Sequence, residues 1–439
     1  MRESHFASAC LLWTMAIGCS DSGEKGSGAV GDAGASSDSG EVSDTSDSGT
    51  ASDGGGVTDG DSGSGSDSGS DSGDTSDADA DTVVTYPGPK GVTVGNYYAA
   101  SVEQGGVDHS SFVYEVNRQQ ETSLSLTTSW TTFSFSGEVT VTVTRLGGEP
   151  ISTCEVLPSS YGIETEVSGD TCTFELDRAR KLSVEFDGDT THPMLVFADA
   201  LETDIPDPKD PNVLYFGPGL HDIGDTTLTS GQTVYIEGGA VVFGRFLVGS
   251  PDALADEEGI TIRGRGVLSG EGYPQGTSNE DHFINFWGAK ETLIEGITLV
   301  QSPLYNILLY GADNVVRNVK LISWWYSTDG IYVGGGGLIE DCFVKVNDDA
   351  FKLYESDTTV RDIVIWQLEN GAPFQISWNM PTDQHGFHVQ NIDIIHMEHR
   401  ADQINLAAVD AVHGGDGHMS GYLFEDTGSL VHVAPEAVV

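Results

Sequence analysis

The chain has 439 residues, 19 Lys and Arg against 68 Asp and Glu, and a formal net charge of −49. So acidic a protein repels phosphate backbones, which argues against nucleic acid as a partner. The length leaves room for more than one domain.

The first twenty residues, MRESHFASACLLWTMAIGCS, hold one basic residue, a short apolar stretch and the phrase Ala16-Ile17-Gly18-Cys19. This resembles a lipoprotein signal over residues 1–19, with Cys19 as the acylated cysteine. An ordinary secretory signal is the alternative. Either exports the protein to a bacterial cell surface, an outer membrane or the medium, and membrane contact is expected only through the lipid anchor. Residues 20–82 are almost wholly Ser, Gly, Asp, Ala and Thr. They cannot bury enough apolar surface to offset chain entropy and read as a disordered tether.

From Val83 to residue 203 short runs alternate apolar and polar residues, as in SLSLTTSWTTFSFSGEVTVTVTRL at 123–146. This predicts an N-terminal β-sandwich. Cys154 and Cys172, 18 residues apart on what read as neighbouring strands, are available for a disulfide in an exported chain. Cys342, inside an apolar strand without a local base, reads as a buried free thiol.

The Pro-rich stretch DIPDPKDP at 204–211 opens a second region, 204–439. Here one phrase recurs: LIEGITL at 293, VVRNVKL at 315, LIEDCFV at 338, VRDIVIW at 360 and VQNIDII at 389. Aligned on Glu295, Arg317, Glu340, Arg361 and Gln390, the copies are spaced 22, 23, 21 and 29 residues apart. A period just above twenty, rich in β-branched residues and glycine and without helix signals, predicts a right-handed parallel β-helix. The fold class is therefore all-β, a sandwich followed by a solenoid. The last ten or so residues lose the repeat, so a truncated or frame-altered product is expected.

Stacked coils lie about 4.8 Å apart. Asp329 and Asp349, 20 residues apart, should meet on successive coils with Asp348 beside them. Three clustered carboxylates repel one another, which raises at least one pKa and leaves an acid and a base in one site. Solitary acids such as Asp313, Asp341 and Asp362 instead read as turn residues that accept backbone hydrogen bonds.

The phrases WYSTDGI at 325–331, NDDAFKLY at 347–354 and VIWQLENGAPFQISW at 364–378 resemble glycoside hydrolase family 49, the dextranase and isopullulanase family. LSVEFDGD at 182–189 and YFGPGLHDIG at 215–224 add to the likeness. The resemblance implies hydrolysis of a neutral α-glucan with inversion, on dextran-like α-1,6 linkages first and pullulan-type linkages second. It also implies Asp348 as general acid, with Asp329 and Asp349 holding the water and serving as base. An inverting pair is expected to stand about 6.5–9.5 Å apart, leaving room for that water.

Lys352 is a candidate for binding sugar hydroxyls, orienting a carboxylate or neutralising the acidic cluster. Sugars stack on aromatic rings, so Trp325, Tyr354 and Trp378, with Gln375 beside them, are candidates for substrate contact. No cofactor is called for. His396 and His399 differ by an odd number on a predicted strand and point apart, and His413 and His418 flank a loop, so no metal site is expected. A monomer is expected. Two readings compete: a polygalacturonase-like hydrolase on the same fold, although its Gly-His-Gly and Arg-Ile-Lys phrases are missing and QHGF at 384–387 is only a partial echo, and a surface-tethered glycan-binding module or adhesin. The intact acid triad argues against the second, because a binding module has no need of repelling carboxylates.

Overall fold

The computed structural model describes residues 81–430 apart from 121–122, 379, 400–404, 406, 412–413 and 427–428. Cys19, His413, all but the end of the tether and the segment beyond 430 lie outside the described residues. Nearly every element is a strand. The turn Ser159–Tyr161 is the one helical element among the described residues, and no described helix is long and apolar enough to cross a membrane.

The first strands form two sheets. One has six strands, running in order Thr82–Thr85, Thr127–Ser136, Met194–Ala200, Arg180–Phe186 and Cys154–Leu157, with Val113–Asn117 also on Thr127–Ser136. The other has five: Val107–Ser111, Tyr98–Gln104, Val139–Arg145, Thr171–Leu176 and Thr165–Ser168. Alternation predicts which residues face inward, and they do. Phe133, Phe135, Leu182, Val184 and Val196 of the first sheet share one core with Val102, Val141, Val143 and Phe174 of the second. Cys154 and Cys172 are disulfide-bonded. They join the two sheets rather than neighbouring strands of one, since Cys154 pairs with Phe186 and Cys172 with Val143.

From Val213 onward one continuous 22-stranded sheet winds in coils, each strand pairing in parallel with its counterpart on the next coil. The five residues that aligned in the sequence stand in one column, extended by Arg263 before them and Glu425 after: Arg263, Glu295, Arg317, Glu340, Arg361, Gln390 and Glu425 are successive partners. Opposite charges alternate from Arg263 to Arg361, with Arg263–Glu295 at 3.2 Å, Arg317–Glu295 at 2.7 Å and Arg361–Glu340 at 2.6 Å. One residue earlier, Ile262, Ile294, Val316, Ile339, Val360 and Val389 stack inward and are fully buried. Each contributes on the order of 2 kcal/mol of apolar burial.

One residue later the chain turns a corner. Gly296, Asn318, Asp341, Asp362, Asn391 and Asp426 all have φ between 48° and 83°. The left-handed region suits Gly, Asn and Asp, which accounts for the polar or glycine residue that closes every copy of the phrase. Asp313 sits at a second such corner, at φ 58°. Thus Asp313, Asp341 and Asp362 do occupy turns, but backbone conformation puts them there. The Asp341 carboxylate accepts from Lys181 Nζ and that of Asp362 from Asn391 Nδ2, rather than from backbone amides.

The six-stranded sheet is buried on both faces. Its second face packs on the coils through Trp130, Leu195 and Phe197 against Ile322, Trp324, Phe343 and Trp366. The alternate positions Lys181, Ser183, Glu185 and Asp199 are therefore buried at this seam, not solvated. Each charged one meets a partner from the coils: Lys181 with Asp341, Glu185 with His396, and Asp199 with Lys320 and Arg265. Cys342 is buried and free, and burial pushes its thiol up to about 12, which leaves it inert.

Candidate active site

Register brings the acids together. Ile307 pairs with Ile331 and Ile331 with Phe351, so two residues earlier on each coil Tyr305, Asp329 and Asp349 stack in one column. His282 precedes them there, because Ile284 pairs with Ile307. Backbone bonds lock this stack: Phe283 N donates to Tyr305 O, Asn306 N to Asp329 O and Gly330 N to Asp349 O. The glycine of Thr328-Asp329-Gly330 is obligatory, since a Cβ at Gly330 would lie 2.3 Å from Ala350 O. Gly371, at φ +80°, passes so close beneath the acid pair that its Cβ would lie 2.2 Å from the Asp348 carbonyl carbon.

Amide side chains tie the three turns to one another. Thr328 Oγ1 donates to Trp325 O, Asn347 N to Thr328 Oγ1, Asn347 Nδ2 to Trp324 O, and Asn370 N to Asn347 Oδ1. On this frame one oxygen from each of Asp329, Asp348 and Asp349 lies within 4.8 Å of the others. Asp329 and Asp349 are buried and Asp348 is half-buried.

One cation answers the three acids. Lys352 Nζ lies 2.5 Å from Asp329 Oδ1 and 2.6 Å from Asp349 Oδ2. Asp349 Oδ1 also accepts from Ala372 N at 3.0 Å and from Asn405 Nδ2 at 2.5 Å. Asp348 accepts from Asn370 Nδ2 at 2.7 Å and from the backbone N of Asp349 at 2.9 Å, and among the described residues no cation pairs with it. Burial, reinforced by the charges of Asp329 and Asp349, holds the Asp348 carboxyl well above the usual range, with Lys352 opposing. Burial also pushes Asp329 up to about 7, with Lys352 pulling down and Asp349 pushing up. Burial disfavours the charged form of Lys352, but Asp329 and Asp349 outweigh it and hold the ammonium firmly protonated. The arrangement offers a proton on one carboxyl beside a carboxylate ringed by donors, the pairing that acid–base chemistry requires.

The other candidates separate. Lys352 is committed to two carboxylates, which supports the orienting and neutralising readings over a sugar contact. Gln375 is 0% exposed and Tyr354 is buried among Trp287, Leu308, Tyr332 and Met380. Neither offers a face to a polymer, a correction to both expectations: the coils pack against segments that cover this side of the strands. Trp325 is partly buried, with its indole N–H enclosed. Trp378 is 39% exposed. Trp324 and Trp366 belong to the seam. His396 bonds Glu185 there, and His418 is exposed. The sequence reading missed His282, Tyr305, Asn370 and Asn405. The first two share the coil spacing of the acids and were within reach of a strand alignment, whereas Asn405 lies beyond the longest coil, where the period is lost. A cavity of about 250 Å³ between residues 200–203 and the charged column is lined by Arg263, Arg265 and Glu295 and by none of the three acids.

No family model matches the chain. A dextranase of Arthrobacter sp. (strain CB-8) is 26% identical across 67% of this chain and 59% of its own length. An isopullulanase of Aspergillus niger is 24% identical across 62% of this chain and 57% of its own length. The solved structure of Dex49A from Penicillium minioluteum superposes with a TM-score of 0.60 at 19% identity, covering 80% of this chain and 82% of that one, and shares its fold. These likenesses support an assignment to glycoside hydrolase family 49. The chain spans 59% of the length of that dextranase relative.

Proposed function

We propose that this chain hydrolyses O-glycosidic bonds of a neutral α-glucan, dextran-like α-1,6 linkages first and pullulan-type linkages second, by general acid and base catalysis with three aspartates. The observation that carries the reading is the trio Asp329, Asp348 and Asp349 within 4.8 Å, served by a single lysine. Asp348, raised by burial and by its neighbours, protonates the leaving oxygen. Asp329 and Asp349, turned toward Lys352, hold and deprotonate the water. Trp378 stacks on a sugar ring. The relatives named dextranase and isopullulanase support this substrate class.

Inversion is our reading of the stereochemistry. Asp349 has both oxygens occupied by donors, which suits a carboxylate that positions water and ill suits one that attacks carbon. One observation favours retention instead: oxygens within 4.8 Å stand nearer the spacing of about 5–5.5 Å typical of retaining pairs than the expected 6.5–9.5 Å or so. We further read residues 83–203 as a β-sandwich and 204–439 as a right-handed parallel β-helix, acting as a monomer exported behind the signal and tether, with Cys19 as the lipid attachment.

The deciding experiment is sugar release by the full chain from dextran, pullulan, starch and polygalacturonate, beside Asp348→Asn. Release from dextran or pullulan that disappears in the variant supports the reading, and proton NMR of the fresh anomeric centre separates inversion from retention. Release from polygalacturonate alone would favour the competing pectin-type hydrolase, and binding without release the tethered module.

A further inference from the structure

Gln375 is buried, and both ends of its amide are bonded. Its Nε2 donates to Asn405 Oδ1 at 2.9 Å, its Oε1 accepts from Ser377 N at 3.3 Å, and Asn405 Nδ2 donates to Asp349 Oδ1 at 2.5 Å. The direction of this relay matters. An asparagine alone can turn either end of its amide toward a neighbour, and its carbonyl would repel a carboxylate. Because Gln375 presents its NH2 group to the Asn405 carbonyl, the Asn405 NH2 group is left facing Asp349.

Asn405 is held where a β-branched residue would be strained, at φ 67°, and is itself buried. With the Ala372 amide and Lys352 it completes a set of donors around Asp349, with no hydrogen atom needed on the carboxyl to satisfy any of them. Asp348, one residue away, has a different set: an asparagine one coil on, Asn370, and the backbone amide of Asp349, with no cation among the described residues. Two adjacent aspartates are thus told apart by which amide reaches which carboxylate.

We propose that Asn405 and Gln375 are positioning residues that hold Asp349 in one fixed orientation as a water-activating carboxylate. The proposal rests on the reading of Asp348 as acid and of Asp349 as one of the two acids that hold water. It also gives a role to Gln375 that contact with sugar does not.

The test is the measurement of kcat and KM for the full chain on the glucan it cleaves, in Asn405→Gly, Gln375→Glu and Asp349→Asn. Glycine tolerates positive φ, so Asn405→Gly removes the amide without straining the backbone. Gln375→Glu keeps the shape but replaces the NH2 group, so Asn405 turns its own NH2 toward Glu and its carbonyl toward Asp349. Both are expected to lower kcat about 10- to 100-fold, with KM within about twofold; the melting temperature stays near that of the parent in Asn405→Gly and falls in Gln375→Glu, which buries a further carboxyl. A loss that falls on kcat and spares KM is a split that a merely structural role would not produce. Since the two substitutions act at separate positions, one folded variant suffices. Parental kcat in that variant, beside an inactive Asp349→Asn, would overturn the proposal alone. A raised KM at parental kcat would overturn it too, restoring Gln375 or Asn405 as a sugar contact. Full activity in Asp349→Asn would sink the role assignment and this inference with it.

Discussion

Two groups of charged side chains are buried in the same chain, and they are built differently. At the seam between the N-terminal sheets and the coils, the buried Asp199, Lys181 and Glu185 are each met by an oppositely charged or imidazole group: Lys320 Nζ donates to both oxygens of Asp199 at 2.9 and 2.7 Å with Arg265 nearby, Lys181 meets Asp341, and His396 meets Glu185. Within the coils, Lys352 pairs with Asp329 and Asp349 and leaves the neighbouring Asp348 without an ion pair among the described residues. Cohesion asks only that buried charges be paired. An uncompensated surplus costs stability, and its persistence points to chemistry.

Electrostatics follows the pairing. Burial alone would raise Asp199, but Lys320, Arg265 and Lys181 hold it below the usual range. Burial does raise Asp348 and Asp329, because one lysine cannot answer three charges.

The comparison breaks most decisively at Asp348. Replacement by Asn is expected to lower kcat on the order of 10³-fold, with the melting temperature unchanged or higher, because repulsion is relieved; assays beside thermal melts check both. Asp199→Asn should do the reverse. It strands Lys320 in the seam and is expected to cost about 3–5 kcal/mol in denaturant unfolding, while activity per folded molecule stays at the parental level.

Next in size is an opposition in pH dependence. Asp329 titrates at about 7 when folded, against about 3.9 in an unfolded chain. Its favourable contribution is complete below the unfolded value and lost as pH rises toward 7. Asp329→Asn should therefore gain stability relative to the parent between about pH 4 and 7. Asp199, lowered on folding, contributes above the unfolded value and loses its contribution as pH falls below about 4. The gap between parent and Asp199→Asn should shrink there. Urea melts across pH test both signs, and parallel curves for the two variants would erase the distinction drawn between the clusters. The smallest effect is expected at Trp378, where Ala should raise KM about fivefold, roughly 1 kcal/mol of lost stacking, with kcat little changed.

Much of this was legible in the amino-acid order. The recurring phrase located the coils because each coil must place an inward apolar residue, a column residue and a left-handed corner at fixed intervals. A β-branched side chain such as that of Val316 would be strained at the corner that Asn318 turns, and the order apolar, charged, then Gly, Asn or Asp repeats accordingly. The coil spacing likewise put Asp329 and Asp349 in register. Less was legible where one part of the chain covers another. Lys181, Ser183 and Glu185 alternate with Leu182 and Val184 as solvent-facing residues would, yet they are buried.

Sequence alone determined the period, the corners, the inward faces of the strands and the pairing of acids one coil apart, because all of these depend on local backbone geometry repeated along the chain. Only the tertiary structure decided that the outer face of the six-stranded sheet meets the coils, that the disulfide crosses between sheets, that Gln375 and Tyr354 are covered, and that Asn405 reaches Asp349. A strand's periodicity states which residues share a face; what lies against that face depends on segments far away in the chain, and no local pattern records them.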